Sequence, residues 1–187
     1  MPPIAGMPAE PPLWAPWYGI GFGWAVARLW RKGLTFSGRA SRGEYWWAML
    51  FLMLLAAAVA AVTVAIDMAV QGAGSDETPI SDMASGVLQL AIFLPALSLT
   101  VRRLHDANHS GWWAALPFVF DLTALVTAVM PLFVESWGVD VQAGMVIMAV
   151  AQWLLGYVVP IVFGVLPSNP TGVRFDAAPN VSRGTQS

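Results

Sequence analysis

The 187-residue chain contains no cysteine. That excludes disulfides, thiolate metal sites and a cysteine nucleophile, and it leaves the redox compartment open. Charge is the next scarcity. Asp, Glu, Lys and Arg make up 11% of the residues, against about 25% in ordinary soluble domains. Apolar residues reach 57% and mean hydropathy is +0.64. A chain this poor in charge cannot cover its own surface for water, so lipid is its expected solvent. The net charge of −2 singles out no partner, because the charges are segregated along the chain, and no nucleic-acid partner is expected. The length suits one compact domain.

Enzyme signatures are missing too. The chain has no phosphate-cradling glycine loop with its Lys, no nucleophile elbow and no dinucleotide fingerprint. Neither an enzymatic activity nor a cofactor is expected. Residues 1–20 read as a flexible Pro-rich tail. Met1 to Pro16 carries no Lys or Arg and no apolar core ahead of a cleavage site, unlike a secretory signal.

What is present is a set of long apolar runs. A helix needs roughly 20 residues to cross a hydrocarbon core about 30 Å thick. Four stretches qualify, at about 45–66, 83–101, 111–132 and 144–166. Pro95, Pro117 and Pro160 fall inside them, which membrane helices tolerate where neighbours satisfy the freed carbonyls. A fifth apolar stretch ends in Arg28, Arg31 and Lys32. Residues 21–32 read as a helix lying in the membrane interface with its basic side chains snorkelling outward. A fifth span is the alternative. The expected fold is an all-α membrane protein: four transmembrane helices in two hairpins, plus this N-terminal interfacial helix. The membrane domain covers 21–166, and 167–187 forms a polar tail.

Orientation follows from the nine basic residues. Arg28, Arg31, Lys32, Arg39 and Arg42 precede the first span, Arg102 and Arg103 separate the second from the third, and Arg174 and Arg183 follow the fourth. The other two loops hold Asp76, Glu77 and Asp82, then Glu135 and Asp140, without Lys or Arg. The positive-inside rule then places both termini in the cytoplasm of a bacterial inner membrane. Trp46, Trp47, Trp112 and Trp113 fall at the cytoplasmic interface and Trp137 at the outer one, where indoles anchor helices. Basic segment, Trp pair, span, acidic loop and span occur twice, a faint repeat that the charge rule alone would generate.

Polar residues gather on the cytoplasmic side. Ser41 and Glu44 have capping-box spacing ahead of an apolar run. Arg39, Arg42, Arg102 and Arg103, with Trp46, Trp47, Trp112 and Trp113 around them, suit an anionic headgroup or an acidic partner segment. Retention by positive charge alone is the blander account. His105 and His109 would share a face on a helix, as zinc ligands do. The turn-like Asn108-His109-Ser110-Gly111 and the missing third ligand favour instead a paired His105–Asp106 or an Arg–Asp106 ion pair, and no metal is expected. Within the membrane, Asp121 is the one deep carboxylate. It is expected to face the bundle, with Gln152 as its partner. It also keeps open a small transporter or channel subunit as an alternative. A homo-oligomer is a further possible assembly.

Phe36-Ser37-Gly38-Arg39-Ala40-Ser41-Arg42, Glu44-Tyr45-Trp46-Trp47, Val101-Arg102-Arg103-Leu104-His105-Asp106 and Ser110-Gly111-Trp112-Trp113 together resemble domain of unknown function 805. That is a family of small bacterial inner-membrane proteins. The resemblance runs from about Gly21 to Phe175. Members often close with Asn-Arg-(Phe/Tyr)-Gly, where this chain has Val173-Arg174-Phe175-Asp176. The resemblance implies the fold and the membrane, and no activity comes with it.

Overall fold

A computed structural model describes residues 10–71, 79–133 and 138–176. Asp76, Glu77, Glu135, Trp137 and Arg183 lie outside the described residues. Five α-helices follow one another: α1 (Phe22–Arg31), α2 (Arg42–Gln71), α3 (Pro79–Asp106), α4 (Leu116–Val129) and α5 (Val139–Val165). Short 3₁₀ turns occupy Gly111–Ala115, Met130–Leu132 and Pro170–Phe175. No strand occurs among the described residues. Four stretches are long and apolar enough to cross a membrane, at Arg42–Val70, Pro79–Asp106, Gly111–Val129 and Asp140–Val165. Outward-facing Met53, Val62, Leu90, Leu122 and Ile147 are each at least 60% exposed, which suits side chains solvated by lipid.

Local chemistry explains the helix ends. The Ser41 hydroxyl caps α2 by accepting from the Glu44 amide at 3.2 Å. The return half of a capping box is replaced, since the Glu44 carboxylate is drawn to Arg102 instead. At the far end of that hairpin Asp67, on α2, accepts from the Ile80 and Ser81 amides at 3.1 and 2.8 Å. One carboxylate thus satisfies two orphan donors of α3 and pins α2 to α3. Pro117 stands in the first turn of α4, where its missing N–H costs nothing. The third span begins as a 3₁₀ turn capped by the Ser110 hydroxyl, which accepts from the Trp112 amide, whereas the Ser41 cap of the first opens directly into α-helix.

The packed core sits at the end of the bundle that carries the basic residues. Leu29, Ala40, Tyr45, Ala48, Leu52 and Leu99 form one cluster, and Leu104, Ala114 and Phe163 another. α2 packs on α3 and α4 on α5, while α3 and α2 touch α5. Tyr45 donates to the Pro160 carbonyl at 3.0 Å, tying the first hairpin to the second.

Three expectations change here. α1 is ten residues long, about 15 Å and too short to cross the core. Its Arg28 and Lys32 do not snorkel outward: both are buried, at 0% and 2% exposure, while Phe22, Trp24 and Trp30 face outward. The cause is a buried carboxylate on α2, Glu44, which attracts them. The N-terminal stretch is folded from Glu10 onward, with Trp17 and Ile20 buried. Its carbonyls at Pro12, Leu13 and Ala15 accept from the Arg28 guanidinium at 3.2, 3.3 and 2.9 Å. The C-terminal stretch likewise folds back as far as Asp176 and docks on α3.

Candidate functional site

The last turn of α3 brings Arg102, Arg103 and Asp106 to the basic end, fully buried. Each charge there needs a partner, because an isolated buried ion costs several kcal/mol. Two carboxylates serve as hubs. Glu44 Oε1 receives Arg102 Nη1 at 3.0 Å, with Lys32 Nζ at 3.7 Å and Arg28 Nε at 3.8 Å. Asp106 receives Arg103 Nη1 at 2.7 Å and the Ser168 hydroxyl at 2.5 Å on Oδ2, and the Tyr18 hydroxyl at 2.9 Å on Oδ1. Arg103 also donates to the Leu166 carbonyl. Desolvation, and then Asp106 itself, holds the Tyr18 phenol above its ordinary pKa.

Outside these hubs lies a half-exposed rim. Arg39 makes a two-pronged pair with Asp176, at 2.9 and 2.8 Å, which raises its pKa. The Phe175 ring lies flat on His105, centroids 4.0 Å apart, and Arg174 stands 4.6 Å over the Phe175 ring. Two glycines permit this docking. Gly38 adopts a left-handed φ of 82°, and its amide donates to the Phe175 carbonyl at 2.9 Å. Gly172 lies so close to the His105 carbonyl that any side chain would collide with it.

An apolar groove of about 550 Å³ opens beside this rim, between α3 and the start of α4. Phe93, Leu97, Val101 and Phe118 line it, with His105 and Phe175 at its mouth. A smaller recess of about 140 Å³ shares Phe93, Leu97 and Phe118 and reaches Gln89. Gln89, Phe93, Leu97, Val101 and His105 recur every fourth residue, which is one stripe of a helix. From His105 to Gln89 the stripe runs roughly 24 Å at 1.5 Å per residue.

A family of proteins of unknown function, DUF805, matches residues 33–177 of this sequence. The chain belongs to the DUF805 family. Among curated relatives, Inner membrane protein YhaI of Escherichia coli (strain K12) is 39% identical over 106 residues, covering 55% of this chain and 80% of that protein. Inner membrane protein YhaH of the same strain is 31% identical over 94 residues, covering 49% of this chain and 72% of its own length. No solved structure matches the chain. Family, relatives and the four spanning helices together make this a DUF805 inner-membrane protein.

The DUF805 chain does bring Arg39, Glu44, Arg102, Arg103, His105 and Asp106 to one end, but not as one open basic surface. Arg102 and Arg103 are buried in ion pairs, so neither offers a free cation at the surface. Arg42 is exposed, with its Nε on the Leu166 carbonyl at 3.0 Å. Trp46 and Trp47 are each 40% exposed, Trp113 55% and Trp112 86%, in keeping with indoles at a membrane interface. His105 lies in the last turn of α3 and His109 follows beyond Asn108, whose φ is +62°. The two histidines therefore do not share a helical face.

Asp121 requires a correction. It is exposed, beside Gly156 of α5, where a Cβ would fall 2.5 Å from its Oδ1. It makes no hydrogen bond to Gln152, whose buried Oε1 has no partner. α4 packs chiefly on α5, and Asp121 lines a recess between those two helices with Ala124, Ala149 and Trp153. Arg28, Lys32, Tyr18, Ser168, Phe175 and Asp176 are the site residues that composition and charge counting passed over. One signal was available for Asp176: it is the only acidic residue after the fourth span.

Proposed function

We propose that this DUF805 protein is a non-enzymatic membrane component that seats an anionic phospholipid at its cytoplasmic face. The observation that carries the reading is the α3–α4 groove, with its apolar wall and its polar, cationic mouth. The wall of Phe93, Leu97, Val101 and Phe118 suits an acyl chain. The length from His105 to Gln89, about 24 Å, exceeds half of a hydrocarbon core about 30 Å thick, so one leaflet's chain fits along it. At the mouth, Ser110 and His105 line the opening, and exposed Arg174 stands over Phe175 beside it. Each basic residue near an anionic leaflet contributes about 1 kcal/mol, which favours anionic over zwitterionic headgroups.

The rival reading, a transporter or channel subunit, draws no support from Asp121, which is exposed on α4. Lipid extracted from protein purified in mild detergent tests the proposal. Wild type should retain anionic phospholipid near one per chain. Leu97→Trp, which fills the groove, should lose most of it, and Arg174→Gln should lose the preference for anionic species. Equal retention in Leu97→Trp and wild type would sink the proposal.

A further inference from the structure

The Glu44 hub is not explained by lipid in the groove. Three cations, Arg28, Lys32 and Arg102, converge on one carboxylate oxygen, and all four side chains are at most 2% exposed. The neighbouring carboxylate, Asp106, is already taken by Arg103, Tyr18 and Ser168. The hub therefore encloses two positive charges more than its carboxylate can balance. Folds avoid burying unbalanced charge because nothing replaces the lost hydration. Hydrogen-bond capacity is left over as well. Among the described residues, Arg28 Nε and Nη1, Lys32 Nζ, and Arg102 Nε and Nη2 are buried donors with no hydrogen-bond partner. On Arg102 the unused Nε/Nη2 edge is the same fork that Arg39 applies to the Asp176 carboxylate, the edge that grips two oxygens of one anion.

The leftover groups are not all donors. Glu44 Oε2 is a buried acceptor without a partner, so a ligand that only accepts would leave it unsatisfied and add a second negative charge beside it. We propose that the Glu44 hub binds a small oxyanion that keeps a proton, of the bicarbonate or hydrogen phosphate class. Hydrogen phosphate would balance both surplus charges of Arg28, Lys32 and Arg102 and bicarbonate one of them; the oxygens accept from their free N–H groups, and the O–H donates to Glu44 Oε2. Sulfate matches phosphate in shape but carries no proton near neutral pH, and it is the discriminating control. A site built to accept from an O–H strongly rejects the analogue that lacks it.

The test uses the full chain in mild detergent and Tris chloride, titrated with sodium phosphate, bicarbonate or sulfate at matched ionic strength. Phosphate or bicarbonate should raise the melting temperature saturably, by roughly 3–6 °C at ten times the apparent Kd. Sulfate should bind at least tenfold more weakly. In Glu44→Gln the amide can donate to the anion, so sulfate should approach parity with phosphate. If that variant does not fold, Lys32→Gln decides, and its phosphate Kd should weaken at least fivefold. Leu97→Trp should keep the response, separating this site from the lipid groove. A wild type that responds to neither phosphate nor bicarbonate, or to sulfate equally well, overturns the proposal, as does an unchanged phosphate Kd in Lys32→Gln.

Discussion

A lysine ammonium ordinarily loses its proton near pH 10.5, and in Lys32 burial brings that down to about 8, despite the opposing pull of Glu44. Glu44, Arg28 and Arg102 are the charges around it, and the two guanidinium groups lower it further. The sign of the consequence follows from proton counting. Between about pH 8 and 10.5 the unfolded chain holds this proton and the folded chain does not, so stability rises with pH across that window. Below about pH 8 both states are protonated and the burial cost is fully present. Its size, at about 1.4 kcal/mol per pKa unit, is roughly 3 kcal/mol. In phosphate- and bicarbonate-free buffer, Lys32→Met should therefore melt above wild type at pH 7.5. The gap should narrow as pH approaches 9.5. A gap that widens with pH would mean that the ammonium is net stabilising in the hub. Asp106 has no such conflict, because Arg103, Tyr18 and Ser168 satisfy it on both oxygens.

Among the helices, α2 and α5 are the most legible in sequence, since neither has a charged residue through most of its length and uncharged runs of that size have one physical outcome. α3 and α4 are legible as spans but not in their roles. The stripe from Gln89 to His105 reads equally as a lipid-facing or a partner-facing row until α4 is seen to lie beside it. The buried arginines were illegible for a different reason. The positive-inside rule yields the same charge pattern whether Arg102 and Arg103 snorkel or turn inward, and the choice is made by Glu44 and Asp106. Pairs such as Arg39–Asp176, 137 residues apart, leave no mark on local periodicity. Asp121 illustrates the limit of energetic inference at this scale. A central Asp costs an inserting helix about 2.5–3.5 kcal/mol, which argues for burial only if an interior is available. Because Asp121 is exposed on α4, Asp121→Leu should insert more completely and melt no lower than wild type. A substantial loss of stability in Asp121→Leu would require a partner for that carboxylate supplied from outside the single chain.

For the whole molecule, the two hairpins are joined mainly where the charges lie. Residues 10–21, α1, the ends of α2, α3 and α5, and residues 166–176 all meet around Glu44 and Asp106. A single buried polar assembly thus holds both terminal segments on the same side of the membrane as the α3–α4 connection. Orientation then reduces to which side that is. All cations among the described residues, buried or exposed, belong to this end, while Asp67, Asp82 and Asp140 belong to the other. Loop charge acts during insertion, before burial, so Arg28, Arg102 and Arg103 count toward retention whatever their later environment. Reporter fusions at Ala107 and after Ser187 should accordingly be active only inside the cytoplasm, and those at Gly74 and Ser136 only outside. The Ala107 fusion decides most, because it sits directly behind Asp106 and reports on the hub itself. An external signal there would place the groove mouth, Arg174 and the Glu44 hub on the outer face, away from the anionic leaflet and from cytoplasmic oxyanions. It would thereby remove the setting on which the lipid proposal depends. Internal signals at Ala107 and after Ser187, with external ones at Gly74 and Ser136, are what the positive-inside rule predicts from the basic residues gathered at the hub end.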